Sequence, residues 1–114
     1  MATKYMRVAA HRGFSEKYPE NTMEAFRAAL EAGADEIETD VRVSADGELV
    51  LIHDETADRT TDGTGKICEM TLAELKKLDA GIKKGAEFVY FKGKNKIYAY
   101  FSISVFLLAF PIVI

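Results

Sequence analysis

The sequence predicts an α/β fold, and three observations carry that expectation. A short apolar run at residues 6–10 ends at the polar triplet His11-Arg12-Gly13, as a buried strand ends in a loop. A helical pattern follows, with Met23, Phe26, Ala29 and Leu30 at one-face spacing before Gly33. Residues 36–43 then alternate between apolar and charged, as a half-buried strand does. Strand, helix, strand is the order of a parallel sheet with crossover helices.

Each element has its own local signals. Asn21 stands where a cap for the first helix is wanted, and Glu24 three places on suits a capping box. Gly33 supplies a left-handed stop. In the strand at 36–43, Ile37, Thr39, Val41 and Val43 share one face, and Glu36, Glu38, Asp40 and Arg42 share the other. Asp46-Gly47 is a strong turn signal before a second apolar strand that ends at His53-Asp54. Thr71 and Glu74 form a second capping box ahead of Leu72, Leu75 and Leu78, with Gly81 closing that helix. Strands are expected at 8–12, 36–43 and 49–53, and helices at 22–32 and 72–79.

Charge and composition exclude several classes and divide the chain. No basic stripe is present for phosphate backbones, so nucleic acid is not an expected partner. A single cysteine, Cys68, excludes an internal disulfide framework and fits the cytoplasm. All 18 acidic residues lie at or before Glu87, whereas residues 88–114 carry Lys92, Lys94 and Lys96 as their charges. Residues 97–114 form an uncharged run of 18. Two segments are therefore expected, 1–87 and an apolar tail at 88–114.

The first segment holds the candidate chemistry. Glu38 and Asp40, two apart on a strand, share a face and can grip one cation; an exposed acidic edge would look the same. With Asp46-Gly47 as a two-residue loop, His53 falls opposite Asp40, and with a four-residue loop opposite Glu38; either way it faces the same side as both carboxylates, whereas a bulged three-residue loop would break that relation. A strand-end histidine bonded to backbone is the alternative for His53. If the first strand lies parallel beside the second, His11 and Arg12 reach the same edge, where α/β folds bind ligands. Two histidines, an arginine and two carboxylates suit metal-assisted phosphoryl chemistry, although Arg12 read alone is equally a solvated surface cation. Asp62-Gly63-Thr64-Gly65-Lys66 reads as a turn, because it lacks the spacing of a phosphate-binding loop.

The segments HRGFSEKYPENTMEAFRAAL, GADEIETDVRVSADGELVLIHDETADRTTDGTGK and MTLAELKKLDAG resemble the glycerophosphodiester phosphodiesterases over about residues 8–81. HRG, PENT, the E-x-D strand and HD-x-x-x-x-RTT-x-G occur in order. The resemblance implies a (β/α)8 barrel of which this chain supplies the first strands, since such a barrel takes about 250 residues. It implies hydrolysis of glycerophosphodiesters, such as glycerophosphocholine, to sn-glycerol 3-phosphate and an alcohol, with Ca²⁺ or Mg²⁺ as cofactor. By motif, His11 and His53 would be the catalytic acid–base pair, Arg12 the phosphate ligand, and Glu38 and Asp40 the metal ligands. The implied mechanism has the substrate's glycerol hydroxyl attack phosphorus, giving a cyclic phosphate that water opens. The family also places a third carboxylate on a later strand, in an E-x-K pattern, and residues 88–114 contain no Asp or Glu.

Three readings of the tail follow: a segment read out of frame or past a truncation, a membrane anchor at 97–114, or a buried helix or strand pair. Little or no activity is expected of the chain alone, with open strand edges favouring oligomers or aggregation. The alternative function is a non-catalytic, membrane-tethered module that binds phosphodiesters.

Overall fold

A computed structural model of the chain describes residues 6–89, 96–99 and 112–113. Strand β1 (Ala9–His11) lies parallel beside β2 (Glu36–Glu38), with His11 opposite Glu38. Helix α1 (Met23–Glu31) makes the crossover between them. It buries Met23, Phe26 and Ala29 against Ile37 of β2 and against Leu51, forming one apolar cluster. The helix stops as Gly33 suggests: Gly33 has φ 85°, and the Gly33 and Ala34 amides donate back to the Leu30 and Ala29 carbonyls.

The start of α1 differs from the expectation by one residue. Thr22 is the cap, and its hydroxyl accepts from the Ala25 amide. Asn21 is withdrawn from capping because its side chain is engaged elsewhere, with Thr39 and Asp40.

The single strand expected at 36–43 is two. β2 belongs to a parallel three-stranded sheet of order β1-β2-β5, where β5 is Ile112–Val113. β3 (Val41–Val43) pairs antiparallel with β4 (Leu49–Leu51) in a separate hairpin. The backbone changes sheets at 39–40: the Thr39 amide donates to Val113, while the Asp40 carbonyl accepts from Ile52. The alternation therefore does not carry through. Ile37 and Thr39 are buried, yet Val43 is 51 % exposed.

The hairpin register also differs. Val43 pairs with Leu49, and the Ser44 amide donates to the Glu48 carbonyl, leaving a three-residue loop of Ala45, Asp46 and Gly47. Gly47 takes φ 82°, the left-handed residue that closes such a bulged loop. The register moves by one, and the shared-face argument for His53 and Asp40 does not hold.

Beyond β4, a second apolar cluster gathers Val50, Ile52, Ala57, Ile67, Leu75 and Ile97. Ile67 lies on a 3₁₀ turn, Ile67–Glu69. Helix α2 (Leu72–Leu75) carries the capping box expected at Thr71 and Glu74 but is shorter than 72–79. Its end tightens into three-residue hydrogen bonds, from Lys77 to Glu74 and from Leu78 to Leu75. Asp62 then draws the Asp79 amide away from the helix path. Helix α3 is Ala86–Val89.

Of the tail at 88–114, residues 88–89, 96–99 and 112–113 are described. Ile97 is buried in the second cluster and Ala99 bridges to Val50, while β5 pairs with β2. Among the described residues no helix is long and apolar enough to cross a membrane. The rest of 88–114, on which the out-of-frame reading and the anchor at 97–114 fall, lies outside them. The architecture is α/β, a parallel βαβ unit with a hairpin excursion, and the described residues close no barrel.

Candidate active site

The parallel pairing of β1 and β2 sets the site. His11 and Glu38 are direct partners at the strand ends, and His11 Nε2 lies 3.4 Å from Glu38 Oε2. The chain then turns sharply. Arg12 takes φ 59°, its amide donates to the Glu38 carbonyl, and its own carbonyl accepts from the Asn21 amide. Asn21 is also left-handed, at φ 57°. Two non-glycine residues in this sparsely populated region, bonded to each other, hold strain that a functional site commonly explains.

This turn aims Arg12 inward. Its Nε lies 3.3 Å from Asp40 Oδ2, and its Nη1 lies 3.3 and 3.4 Å from the two oxygens of Glu20. The same Asp40 oxygen accepts from Asn21 Nδ2 at 3.1 Å, and Asn21 Oδ1 accepts from the Thr39 hydroxyl at 2.8 Å. Gly13 permits the close approach to α1. A Cβ there would meet the Ala25 carbonyl carbon at 2.7 Å.

His53 stands on the far side of Glu20. Its carbonyl accepts from Arg42 Nε, and its Nδ1 lies 2.7 Å from Asp54 Oδ1. Arg59 grips both Asp54 oxygens, at 2.9 and 3.0 Å, and both Glu20 oxygens, at 2.8 and 3.1 Å. A ladder of alternating charge thus runs Asp40, Arg12, Glu20, Arg59, Asp54, His53. Hydrogen bonds from Arg59 and then from His53 hold the Asp54 carboxyl far below its usual range. Burial alone would raise Glu20, but the bond and charge of Arg59, with those of Arg12, outweigh it and lower its pKa. Asp54 and then Glu20 keep Arg59 more firmly protonated than usual.

The structure brings His11 to Glu38 and Arg12 to Asp40. Among the described residues, no hydrogen bond or ion pair joins His53 to Glu38 or Asp40. His11 lines a groove with Val8, Phe14 and Ala29, and His53 lines a small cavity with Glu20, Asn21 and Thr60. Arg12 lies inside the ladder, its side chain 17 % exposed, and is not the solvated surface cation it resembles when read alone. Sequence reasoning gave no role to Glu20, Asp54 or Arg59 and took Asn21 for a cap. All four sit inside the PENT and HD-x-x-x-x-RTT motifs, which was the available signal.

Among the described residues no three His, Cys, Asp or Glu side chains are grouped to hold a metal ion. Glu38 Oε1 is nevertheless buried without a hydrogen-bond partner among them. A buried anionic oxygen lacking a donor is costly, and a hard cation is what such an oxygen accommodates. Glu38 thus fits one position of a cation's oxygen shell, while Asp40 Oδ2 is engaged by Arg12 and Asn21.

The family model for the "Glycerophosphoryl diester phosphodiesterase family" matches residues 11–107. The chain belongs to this family. The match runs past Gly81, where the recognisable motifs end. A glycerophosphodiester phosphodiesterase of Caldanaerobacter subterraneus subsp. tengcongensis is 60 % identical over 81 residues, covering 71 % of this chain and 33 % of that protein. Human glycerophosphodiester phosphodiesterase 1 is 50 % identical over 70 residues, 61 % of this chain and 21 % of that protein. The crystal structure of the Agrobacterium tumefaciens glycerophosphodiester phosphodiesterase superposes with TM-score 0.85 at 43 % identity, over 91 % of this chain and 43 % of that one. An Oleispira antarctica phosphodiesterase in complex with the product sn-glycerol-3-phosphate gives TM-score 0.76 at 43 % identity, over 83 % of this chain and 37 % of that one. The chain spans about one third of the Caldanaerobacter protein's length and belongs to the barrel fold of these enzymes.

Proposed function

We propose that this chain carries the phosphate-binding and acid–base half of a site that hydrolyses glycerophosphodiesters to sn-glycerol 3-phosphate and an alcohol. One observation carries the reading: His11–Glu38 and Arg12–Asp40 stand side by side at the C-terminal ends of two parallel strands. Barrel enzymes keep their active sites at that edge. The product-bound Oleispira relative supports the substrate class.

In this reading Arg12 holds a phosphate oxygen, oriented by Asp40 and Glu20. One of His11 and His53 accepts the proton of the attacking glycerol hydroxyl, and the other donates to the departing alkoxide. Water then opens the cyclic phosphate, with the two proton roles reversed. Glu38 and Asp40 would hold the divalent cation, Ca²⁺ or Mg²⁺, which when bound offsets charge on the phosphate oxygens.

Catalysis needs these groups fixed to within a fraction of an ångström, and a misplacement of one ångström costs on the order of a hundredfold. In this reading the 114-residue chain supplies two carboxylate ligands, Glu38 and Asp40, and residues 88–114 add no third. Negligible release of choline from glycerophosphocholine is expected from it with Ca²⁺ or Mg²⁺. Replacing residues 88–114 with a family continuation that carries the E-x-K strand and the remaining barrel should give turnover. That turnover should be lost on chelation and in Asp40→Ala and His53→Ala. A completed barrel that remains inactive, or stays active in Asp40→Ala, overturns the assignment.

A further inference from the structure

The ladder beyond Arg12 contains two residues, Asp54 and Arg59, that the hydrolytic scheme does not use. Asp54 Oδ1 lies 2.7 Å from His53 Nδ1. An ionised carboxylate can only accept, so the shared proton belongs to Nδ1. Arg59 supports that state by donating to both Asp54 oxygens. It is itself anchored by two further bonds to Glu20, 39 residues away in sequence. The His53 backbone is pinned independently, by Arg42 on its carbonyl. Ring and backbone are therefore held from two sides, although the His53 side chain is 43 % exposed.

We propose that Asp54 and Arg59 are positioning residues. Asp54 fixes His53 as the Nδ1–H tautomer and so makes Nε2 the nitrogen that exchanges protons with substrate, while Arg59 holds Asp54 ionised and in place. A neutral ring so fixed presents a lone pair at Nε2 and acts as a base; once protonated it presents Nε2–H and acts as an acid. Both states leave the Nδ1–H bond to Asp54 intact, so the ring need not turn over between the two halves of a reaction. The catalytic consequence rests on the hydrolytic reading above, whereas the tautomer does not.

The test is long-range ¹H–¹⁵N spectroscopy of the imidazoles in the full chain, at a pH well above the histidine range. His53 should be protonated at Nδ1 and bare at Nε2. In Asp54→Ala it should move to the Nε2–H form that a free histidine side chain favours, and in Arg59→Ala part of the way. His11 serves as the internal reference and should not change. An Nε2–H form of His53 in the unaltered chain overturns the proposal without any variant having to fold. So does a His53 tautomer unchanged in Asp54→Ala. In a completed barrel, Asp54→Ala should lower kcat on the order of 10- to 100-fold with KM little altered, and an unchanged kcat also overturns it. A correct tautomer in a completed barrel that never turns over counts against the hydrolytic reading and for the positioning one.

Discussion

Gly13 shows how one position can decide whether the site forms. It takes φ 80°, and any Cβ would press on the Ala25 backbone at 2.7 Å. The Phe14 amide must still reach the Ala25 carbonyl there. Gly13→Ala should therefore lose stability on two counts, strained backbone and steric overlap, by about 2 kcal/mol or more. Urea denaturation would show this as a lower midpoint. The ladder makes a pH prediction with a definite sign. Glu20 and Asp54 have pKa values lowered from the ordinary 4.5 and 3.8. The unfolded chain then binds protons more readily than the folded one, so stability rises with pH across this range. Their contribution is fully present above the ordinary carboxylate values and is lost as pH falls through the lowered ones. Thermal melts between neutrality and strong acid should show a steeper acid loss in the unaltered chain than in Arg59→Ala, which removes the main partner of both.

Helix α1 separates two roles that adjacent residues could have shared. Thr22 caps, while Asn21 bridges Thr39 to Asp40. Thr22→Ala should cost about 1 kcal/mol, as a lost cap does, and Thr22→Ser should recover most of it. Asn21→Ala should act instead by leaving the buried Thr39 hydroxyl without its acceptor, an effect that cap-restoring changes at Thr22 do not repair. The apolar face of α1 is worth more. Phe26 is wholly buried, and Phe26→Ala should destabilise by about 3–5 kcal/mol. A loss near the capping scale would mean that β2 and α1 do not share one core. The hairpin makes the opposite point. Its register rests on Gly47 in the left-handed region, so Gly47→Val should disturb β3 and β4 while leaving α1 intact by chemical shift.

Among the described residues, buried apolar side chains gather in two clusters, one under α1 and one beyond the hairpin. Some apolar surface remains outside both. Val43 and Leu49, paired across the hairpin, are 51 % and 45 % exposed, and Met6 and Val8 lie open at 81 % and 59 %. Among the described residues, β1 pairs with β2 alone. An unpaired strand edge beside exposed apolar side chains favours association between copies. Sedimentation should find oligomers at micromolar concentration, and Val8→Lys together with Val43→Lys should shift them toward monomer. A monodisperse monomer with a cooperative melt would show instead that these surfaces are harmless.

Local signals were legible where short-range physics decides the outcome. The stop at Gly33, the capping box at Thr71 and Glu74, and the helical face of Met23, Phe26 and Ala29 depend on residues within one or two turns. The motifs also disclosed the family, and with it His11, Arg12, Glu38 and Asp40 at one edge. Tertiary structure decided the rest, because the determinants are distant in sequence. The strand at 36–43 alternates without interruption, yet it changes sheets at Thr39-Asp40, where Val113 and Ile52 compete for successive backbone groups. One extra loop residue before Glu48 shifted the hairpin and moved His53 off the face it was expected to share with Asp40. What connects His53 to the site is a ladder from Asp54 through Arg59 to Glu20, the last step spanning 39 residues. A sequence pattern reports which residues can be buried or charged. Which of two charged residues meet depends on the path of the backbone between them, and long-range hydrogen bonds set that path.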